Sequence, residues 1–319
     1  MQKQCKVVRI HLKTGGSEGT VDREKLINYC LHNKDSQYVV IGWSCVYKEN
    51  ESSIESFDDY YKAVQYLNKI QRQENGYAYR MNPAINRFSE TEENDLFWTR
   101  DIDGNYWICR AKGKAEPYCD SSLDIGARVP VEAYMFGVEV SGQIKASFNR
   151  ARGGITESFY DDLIISYSKH IFNKLSGRTV YSVEKSEKGD ILDNLPHFDL
   201  EELVISYIQI KENYYLLSNS IAKNSTTIKI ECEFRSRDKN DPKRAVVQVK
   251  GGHSKDINAE DYKAYDDEGY KIYFFAPRVI NLNKLNNGIL ITREELLDFY
   301  QEYRIVLPDS ITKWEALFE

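Results

Sequence analysis

The chain has 319 residues, of which 41% are hydrophobic and 29% charged, a globular composition that suggests two domains. The formal net charge of −6 argues against a generally basic, nucleic-acid-coating protein but allows a local basic face. No apolar run reaches the ~20 residues that span a bilayer, and the start lacks a signal-like apolar stretch, so we expect a cytoplasmic protein. None of the six cysteines forms a C-x-x-C pair, which favours reduced thiols over a zinc site.

The first half alternates strand-like and helical segments. The patterns predict helices over 20–33 and 53–73 and strands over 5–12, 38–46, 94–101, 105–113 and 128–140. The segment "DIDGN" (101–105) carries the Asp-Gly signal of a hairpin turn. This order predicts a barrel-like β domain with helices over residues 1–155.

The second half predicts an α/β domain over residues 156–319. An amphipathic helix over 156–177, ending at a glycine, is expected to lead into it. The later patterns predict helices and strands in mixed order, with helices over 199–209, 258–269 and 292–308 and buried strands over 245–252 and 271–277.

The strand "AVVQVKGG" carries two polar residues, Gln248 and Lys250, on one face, because side chains of a strand alternate with period two. A buried lysine is costly unless it is paired, and a metal-bound phosphate would pair it. A preceding strand carries Glu231 and Glu233, and a helix carries Glu201. Hard oxygen ligands suit Mg²⁺, or Mn²⁺ in its place, and such a metal assists phosphodiester hydrolysis.

Each of these residues has a candidate role. Either Glu231 or Glu233, with the amide oxygen of Gln248, would bind the metal; Glu231 is slightly preferred because it follows the apolar lead-in "TIKI". Lys250 would stabilise developing negative charge or position the attacking water.

The motifs "LEELV", "IECEF" and "VVQVKGG" resemble the PD-(D/E)xK nuclease superfamily, in the Mrr-like restriction-endonuclease branch whose last motif reads Q-x-K. The resemblance covers about residues 198–314. It implies a mixed sheet flanked by helices, with Glu201 as the acid of the first helix and Gln248 and Lys250 as the Q-x-K pair. The metal-binding acid of the family is usually Asp, whereas this chain offers Glu231 and Glu233.

Three tryptophans, Trp43, Trp98 and Trp107, lie near strand ends of the first domain. Tryptophan buries a large area, so core packing explains any one of them. Alternatively, they line a pocket that holds a flipped base between aromatic rings. Tyr106 and Trp107 are adjacent on a strand, so only one of them can face such a pocket.

Residues 39–152 resemble the PUA-like, EVE-type readers of modified bases, through "IGW", "DLFWTRDIDGNYWICRAKG", "ARVPVEAY" and "VSGQIKASFNRAR". The resemblance implies a PUA-like β-barrel domain with helices. It also implies that Trp43, Trp98 and either Tyr106 or Trp107 contact the base.

Basic residues around Phe148 suit contact with DNA phosphates, which positions DNA without reading sequence. These are Lys145, Arg150 and Arg152, and His253 after the Q-x-K motif is a further candidate.

The sequence thus predicts a magnesium-dependent, modification-dependent restriction endonuclease that acts on double-stranded DNA in phage defence. We expect a homodimer, at least on DNA, because each active site cuts one strand. Two alternatives stay open: a non-catalytic nucleic-acid-binding protein with a degenerate nuclease fold, and an RNA-directed enzyme with a PUA-like domain.

Overall fold

The computed structural model describes residues 5–15, 21–33, 35–50, 54–75, 81–150, 154–183, 190–218, 220, 230–251 and 256–317. The chain forms two compact units. The first comprises Met1–Val140 with Ile144–Glu184, and the second comprises Ser141–Gln143 with Lys185–Glu319. Within the described ranges, no helix is long and apolar enough to cross a membrane.

The chain up to residue 184 contributes seven described strands and six described helices. The strands are β1 (Val7–Ile10), β2 (Gln37–Ile41), β3 (Leu96–Arg100), β4 (Tyr106–Ala111), β5 (Glu116–Asp120), β6 (Ile125–Gly137) and β7 (Thr156–Phe159). The helices are α1 (Arg23–Ile27), α2 (Val46–Asn50), α3 (Phe57–Asn75), α4 (Met81–Ser89), α5 (Gly142–Asn149) and α6 (Asp162–Ser176). A π-helical turn, Asn28–His32, continues α1.

The strands form one sheet in the order β2-β6-β4-β3-β1-β7, with β5 paired to β6. All pairs are antiparallel except β1 with β3. The sheet curls into a half-barrel with helices, so the sequence prediction of a β domain with helices is confirmed at that level. The order ends with β2 on one side and β7 on the other, so the described strands form a curled sheet rather than a closed barrel.

The predicted turn at "DIDGN" is confirmed. The Asp101 N–H donates to the carbonyl of Asn105 at 3.0 Å, and Gly104 adopts a φ of 89° that favours glycine. The carboxylate of Asp101 accepts from the N–H groups of Asp103 and Asn105 and from Nε1 of Trp107. One buried aspartate therefore fixes both the hairpin turn and a tryptophan of β4.

The predicted helix over 156–177 is split into a strand and a helix. Thr156–Phe159 pair with β1, and the helix begins only after Asp161, whose side chain accepts from the N–H of Leu163. It ends, as predicted, at Gly177 with a φ of 67°. These residues pair with the free edge of β1 in spite of their helical pattern, because strand pairing gives hydrogen bonds to backbone N–H and C=O groups that a frayed helix end would leave without partners. Residues up to 184 pack with the first unit, whereas the expected domain boundary lies at residue 155.

The second unit contains seven described strands and five described helices. The strands are β8 (Tyr214–Leu216), β9 (Cys232–Ser236), β10 (Arg244–Val249), β11 (Ile257–Asn258), β12 (Lys271–Phe275), β13 (Val279–Ile280) and β14 (Gly288–Leu290). The helices are α7 (Ile191–Asn194), α8 (His197–Ile210), α9 (Lys263–Asp267), α10 (Arg293–Tyr303) and α11 (Asp309–Thr312). Short 3-10 turns occupy Ala259–Tyr262, Leu282–Lys284, Arg304–Val306 and Lys313–Leu317.

The main sheet of this unit has the order β14-β12-β10-β9-β8. β8, β9 and β10 run antiparallel, whereas β12 and β14 join in parallel, so β10 is central and fully covered. Residues 245–249 are all buried, as a strand enclosed on both faces requires. The expected mixed sheet with helices is confirmed, and it places the polar motif of β10 inside the sheet.

Candidate active site

Two polar side chains meet on adjacent strands in the second unit. The antiparallel register pairs Cys232 with Val247, so the next pair along brings Glu231 opposite Gln248. The N–H of Glu231 donates to the carbonyl of Val247 at 2.9 Å, which extends the ladder by one step. Nε2 of Gln248 then donates to Oε1 of Glu231 at 2.6 Å. Only 5% of Gln248 is exposed, so this contact is made largely away from water.

The amide of Gln248 is held at both ends. Its Oε1 accepts from the hydroxyl of Tyr262 at 3.0 Å, and its Nε2 also donates to the carbonyl of Val249 at 3.1 Å. Burial raises the pKa of Tyr262, so the phenol stays protonated and donates. The sequence suggested that the amide oxygen of Gln248 faces a metal. The structure turns this oxygen towards Tyr262 and presents the NH₂ group to Glu231.

Glu231 lies in an unusual electrostatic setting. Burial, followed by the nearby carboxylate of Glu201, raises its pKa to about 7, while His197 and Lys250 act in the opposite direction. Two acidic side chains and two basic ones therefore surround one position. Because Glu231 is partly removed from water, a cation beside it would stabilise its ionised carboxylate.

Glu201 reaches this position from α8. His197 and Glu201 are one helical turn apart, and Nε2 of His197 lies 2.8 Å from Oε1 of Glu201. The side chain of Glu201 is 15% exposed and that of His197 55%. The hydrogen bond to Glu201 raises the pKa of His197. No functional role is predicted for His197 from the sequence, although its i, i+4 spacing from Glu201 already indicates a contact.

Lys250 and Glu233 occupy different places around this centre. The N–H of Lys250 donates to the carbonyl of Phe275 at 2.7 Å, which continues the parallel ladder just past β10. Its half-buried side chain is close enough to lower the pKa of Glu231. Glu233 is paired with Val246, one side-chain repeat away from the level of Gln248. The structure thus brings Glu201, Glu231, Gln248 and Lys250 together and places Glu233 farther along the same strand.

The residues present fit a lightly coordinated hard cation. Among the described residues, no group of three or more His, Cys, Asp or Glu side chains is arranged to hold a metal. Magnesium commonly takes only one or two protein carboxylates and keeps its waters. The half-buried pair formed by Glu201 and Glu231 supplies that donor set, so Mg²⁺ or Mn²⁺ is compatible with the site.

In the first unit, Trp98 belongs to the core. It has no exposed surface, its ring stacks on Tyr167 at a centroid distance of 6.4 Å, and Phe136 meets it edge-on at 5.7 Å. Its Nε1 donates to Oγ of Ser168 at 2.9 Å. The sequence offered a base pocket or core packing, and the structure corresponds to core packing, because the side chain has no exposed surface.

Tyr106 and Trp107 point to opposite sides of β4, as strand geometry requires. Trp107 joins the main hydrophobic cluster of the unit and bonds to Asp101 at 2.8 Å. Tyr106 packs edge-on against Phe148 at 5.3 Å. Both rings are buried, so neither offers a free face to a base.

Trp43 differs from the other tryptophans of this unit. It is half-buried and adopts a φ of 65°, a left-handed conformation that is rare for a bulky residue. The turn around it is fixed by Asp124, which accepts from the N–H and hydroxyl of Ser44, and by Tyr60, whose hydroxyl donates to the carbonyl of Gly42. Such strain persists only where surrounding contacts enforce it. Trp43 packs against the main hydrophobic cluster and is the one of the four predicted base-binding residues that is half-buried rather than buried.

The predicted phosphate contacts are mostly engaged elsewhere or lie outside the described residues. Lys145 pairs with Glu139 at 2.9 Å, and Arg150 pairs with Glu157 at 2.6 Å. Arg152 and His253 lie outside the described residues. The acidic partners reduce the net charge that Lys145 and Arg150 would bring to a phosphate.

No protein-family model matches the chain, and no curated protein matches it. Among solved structures, the chain is similar to the MspJI restriction endonuclease in complex with a 27-mer oligonucleotide. The two are 11% identical, the match covers 75% of this chain and 68% of that chain, and the TM-score is 0.26. A similarity this low supports no inference on fold or activity.

Proposed function

We propose that the second unit hydrolyses DNA phosphodiester bonds with the aid of Mg²⁺, or Mn²⁺ in its place. The observation that carries the proposal is the contact between Glu231 and Gln248 on neighbouring strands, with Glu201 and Lys250 beside it. A bound Mg²⁺ would polarise a phosphoryl oxygen and lower the pKa of a coordinated water.

The residues of the chain have distinct tasks in this proposal. Glu231 and Glu201 supply the carboxylates that hold the metal, and Glu233 stays a candidate for the same task. Gln248 orients Glu231 through its NH₂ group. Lys250 places a positive charge where the phosphate gains negative charge, or positions the attacking water.

The topology of the second unit supports the same proposal. A helix carrying Glu201 precedes three antiparallel strands, and the third of these, β10, ends in Gln248 and Lys250. A helical crossover then leads to the parallel strand β12. This order agrees with the PD-(D/E)xK resemblance of the sequence, in which the helix acid, the strand acid and the Q-x-K pair follow one another.

For the first unit we propose recognition of a modified base, with Trp43 as the stacking residue. Its half-buried ring and enforced left-handed conformation support this role. Trp98, Tyr106 and Trp107 would support the fold around it. Cleavage of both strands would involve a homodimer on DNA, since one site cuts one strand.

The decisive experiment uses one plasmid in unmodified, cytosine-methylated and adenine-methylated forms, incubated with Mg²⁺ or with EDTA. We expect Mg²⁺-dependent cutting of a modified form by the wild type and by Lys243→Ala, and no cutting by Lys250→Ala. Lys243 is a matched control because it is exposed, lies just before β10 and pairs with Asp241.

Other outcomes select the alternatives. DNA binding without any cutting, unchanged in Lys250→Ala, would favour a non-catalytic binding protein. Cutting of structured RNA in preference to every DNA form would favour the RNA-directed enzyme. Equal cutting of all DNA forms would keep the nuclease and remove the modified-base reader.

A further inference from the structure

The guanidinium of Arg100, the last residue of β3, lies near two aromatic rings. Its guanidinium carbon lies 5.8 Å from the ring centroids of both Tyr106 and Phe148. Nη1 donates to Oδ1 of Asn149 at 3.2 Å. The rings are buried, whereas Arg100 itself is half-buried. Among the described residues, Arg100 forms no ion pair with an acidic side chain, so its charge is positioned but not neutralised.

Further positive charge gathers around the same ring of Phe148. The buried Arg9 lies 5.9 Å from its centroid, and Arg9 and Arg150 share one carboxylate, that of Glu157, at 3.1 and 2.6 Å. Among the described residues, no group accepts a hydrogen bond from the buried Nε of Arg9. Two arginines against one glutamate leave a net positive charge beside Arg100.

His11 gives an independent indication of this field. Its ring meets Phe148 edge-on at 5.2 Å. Burial lowers its pKa to about 4, and the cations that add to this effect are Arg9, Arg100, Arg23 and Lys13. Arg23 and Lys13 are exposed. The backbone N–H of Lys13 donates to the carbonyl of His11 at 2.8 Å, which places this exposed lysine beside the histidine.

We propose that Arg100, held near Phe148 and Tyr106, and the exposed Lys13, bonded to the backbone of His11, form a binding site for the phosphodiester backbone of DNA on the first unit. We call Arg100, Lys13, His11 and Phe148 the Arg100 surface. The guanidinium of Arg100, held near two aromatic rings and bonded to Asn149, presents its donors in a planar fork that suits phosphate oxygens. This proposal rests on the proposed function, since it names where the DNA substrate is held. It differs from the contacts expected at Lys145 and Arg150, which already have acidic partners.

The test is equilibrium binding of a fluorescent DNA duplex to the full chain in EDTA, across a series of salt concentrations. Each phosphate contact contributes about 0.9 to the slope of log affinity against log salt. We expect Arg100→Gln to weaken binding about tenfold at low salt and to reduce the slope by about one. Arg100→Lys keeps the positive charge but lacks the planar guanidinium. Its salt slope should therefore be closer to that of the wild type than its affinity is.

Two further variants show whether weaker binding results from the lost charge or from misfolding. Lys13→Gln removes an exposed charge, and it should lower the slope by a similar amount. The control Arg178→Gln removes a half-exposed arginine of the same unit whose charge is paired with Glu132. Its binding should stay within about twofold of the wild type. Wild-type binding and slope in both Arg100→Gln and Lys13→Gln would overturn the proposal, as would a wild type that does not bind DNA.

Cleavage with Mg²⁺ is scored separately, so the two proposals fail in different ways. Cutting that depends on Lys250 but is unaffected by Arg100→Gln and Lys13→Gln, with unchanged binding, would remove the Arg100 surface and keep the nuclease. Loss of binding in both variants, without cutting by any form of the protein, would keep the surface and remove the nuclease.

Discussion

Glu231 and Tyr262 bind opposite ends of one side-chain amide, that of Gln248. The glutamate precedes β9 and the tyrosine lies in the crossover after β10, so residues from three segments meet through one buried group. The amide cannot rotate without breaking both contacts. Gln248 therefore fixes the position of the Glu231 carboxylate, and Tyr262 fixes Gln248.

Tyr262→Phe should raise the Mg²⁺ concentration needed for cleavage more than it lowers the cleavage rate at saturating Mg²⁺. The change removes one hydrogen bond, worth about 0.5–1.5 kcal/mol, and leaves the amide oxygen of Gln248 unsatisfied. We expect the Mg²⁺ concentration for half-maximal cleavage to rise about threefold to tenfold, as for loss of other residues that orient metal ligands. Tyr265→Phe, in the next turn, is the control. An unchanged Mg²⁺ dependence in Tyr262→Phe would contradict the positioning role.

Glu231→Gln should remove a pH dependence of stability in the metal-free protein. The pKa of Glu231 is raised from 4.5 to about 7, so the folded state favours the protonated carboxyl. The contribution of Glu231 to stability is complete below pH 4.5, where both states are protonated, and it declines as the pH rises to about 7. Thermal melting in EDTA across this window should show a decline in the wild type that is smaller in Glu231→Gln. Equal slopes for the two proteins would show that Glu231 does not titrate in this range.

Gln248→Glu should make the protein more dependent on metal for its stability. It replaces an NH₂ donor by a second carboxylate next to Glu231, and two adjacent carboxylates repel unless a cation lies between them. We expect a melting temperature below that of the wild type in EDTA and a larger increase on adding Mg²⁺. Gln301→Glu, on the exposed side of α10, serves as the control. A Mg²⁺ shift no larger than that of the wild type would argue against a cation at this position.

Trp98→Phe and Trp43→Ala should separate core packing from base recognition. Trp98→Phe removes buried ring volume and the bond to Ser168, so we expect a loss of about 1–3 kcal/mol in unfolding free energy. The preference for modified DNA should not change. Trp43→Ala should reduce that preference in cleavage assays by removing the stacking ring. Equal preference for modified DNA in Trp43→Ala and the wild type would exclude this tryptophan as the base contact.

Strand periodicity predicted the centre of the second unit well. The alternation in residues 245–250 placed Gln248 and Lys250 on one face, and β10 has a paired strand on each edge, as expected for a buried strand. The role of Tyr262 could not be predicted from the sequence, because its contact with Gln248 depends on how the crossover packs on the sheet, which no local pattern encodes. The role of His197 was not predicted because a histidine at the start of a helix commonly has no functional role.

The roles of aromatic residues in the first unit were harder to predict, because the same residue types suit a hydrophobic core and a base-binding surface. Only burial separates Trp98, which is enclosed, from Trp43, which is half-buried. Thr156–Phe159 continued the pattern of the following helix, and only the open edge of β1 made them a strand. Contacts between residues far apart in the sequence decided both cases.

The amide of Gln248 also makes the site a late product of synthesis. A nascent chain that has reached Lys250 already contains both carboxylates and the Q-x-K pair, but it still lacks Tyr262 and β12, which covers the other edge of β10. Such a chain has the strand pairing that sets Glu231 opposite Gln248, but it lacks the hydroxyl that holds the Gln248 amide and the strand that covers the other edge of β10. The geometry described for this centre is therefore complete only in a chain that extends through Tyr262 and β12.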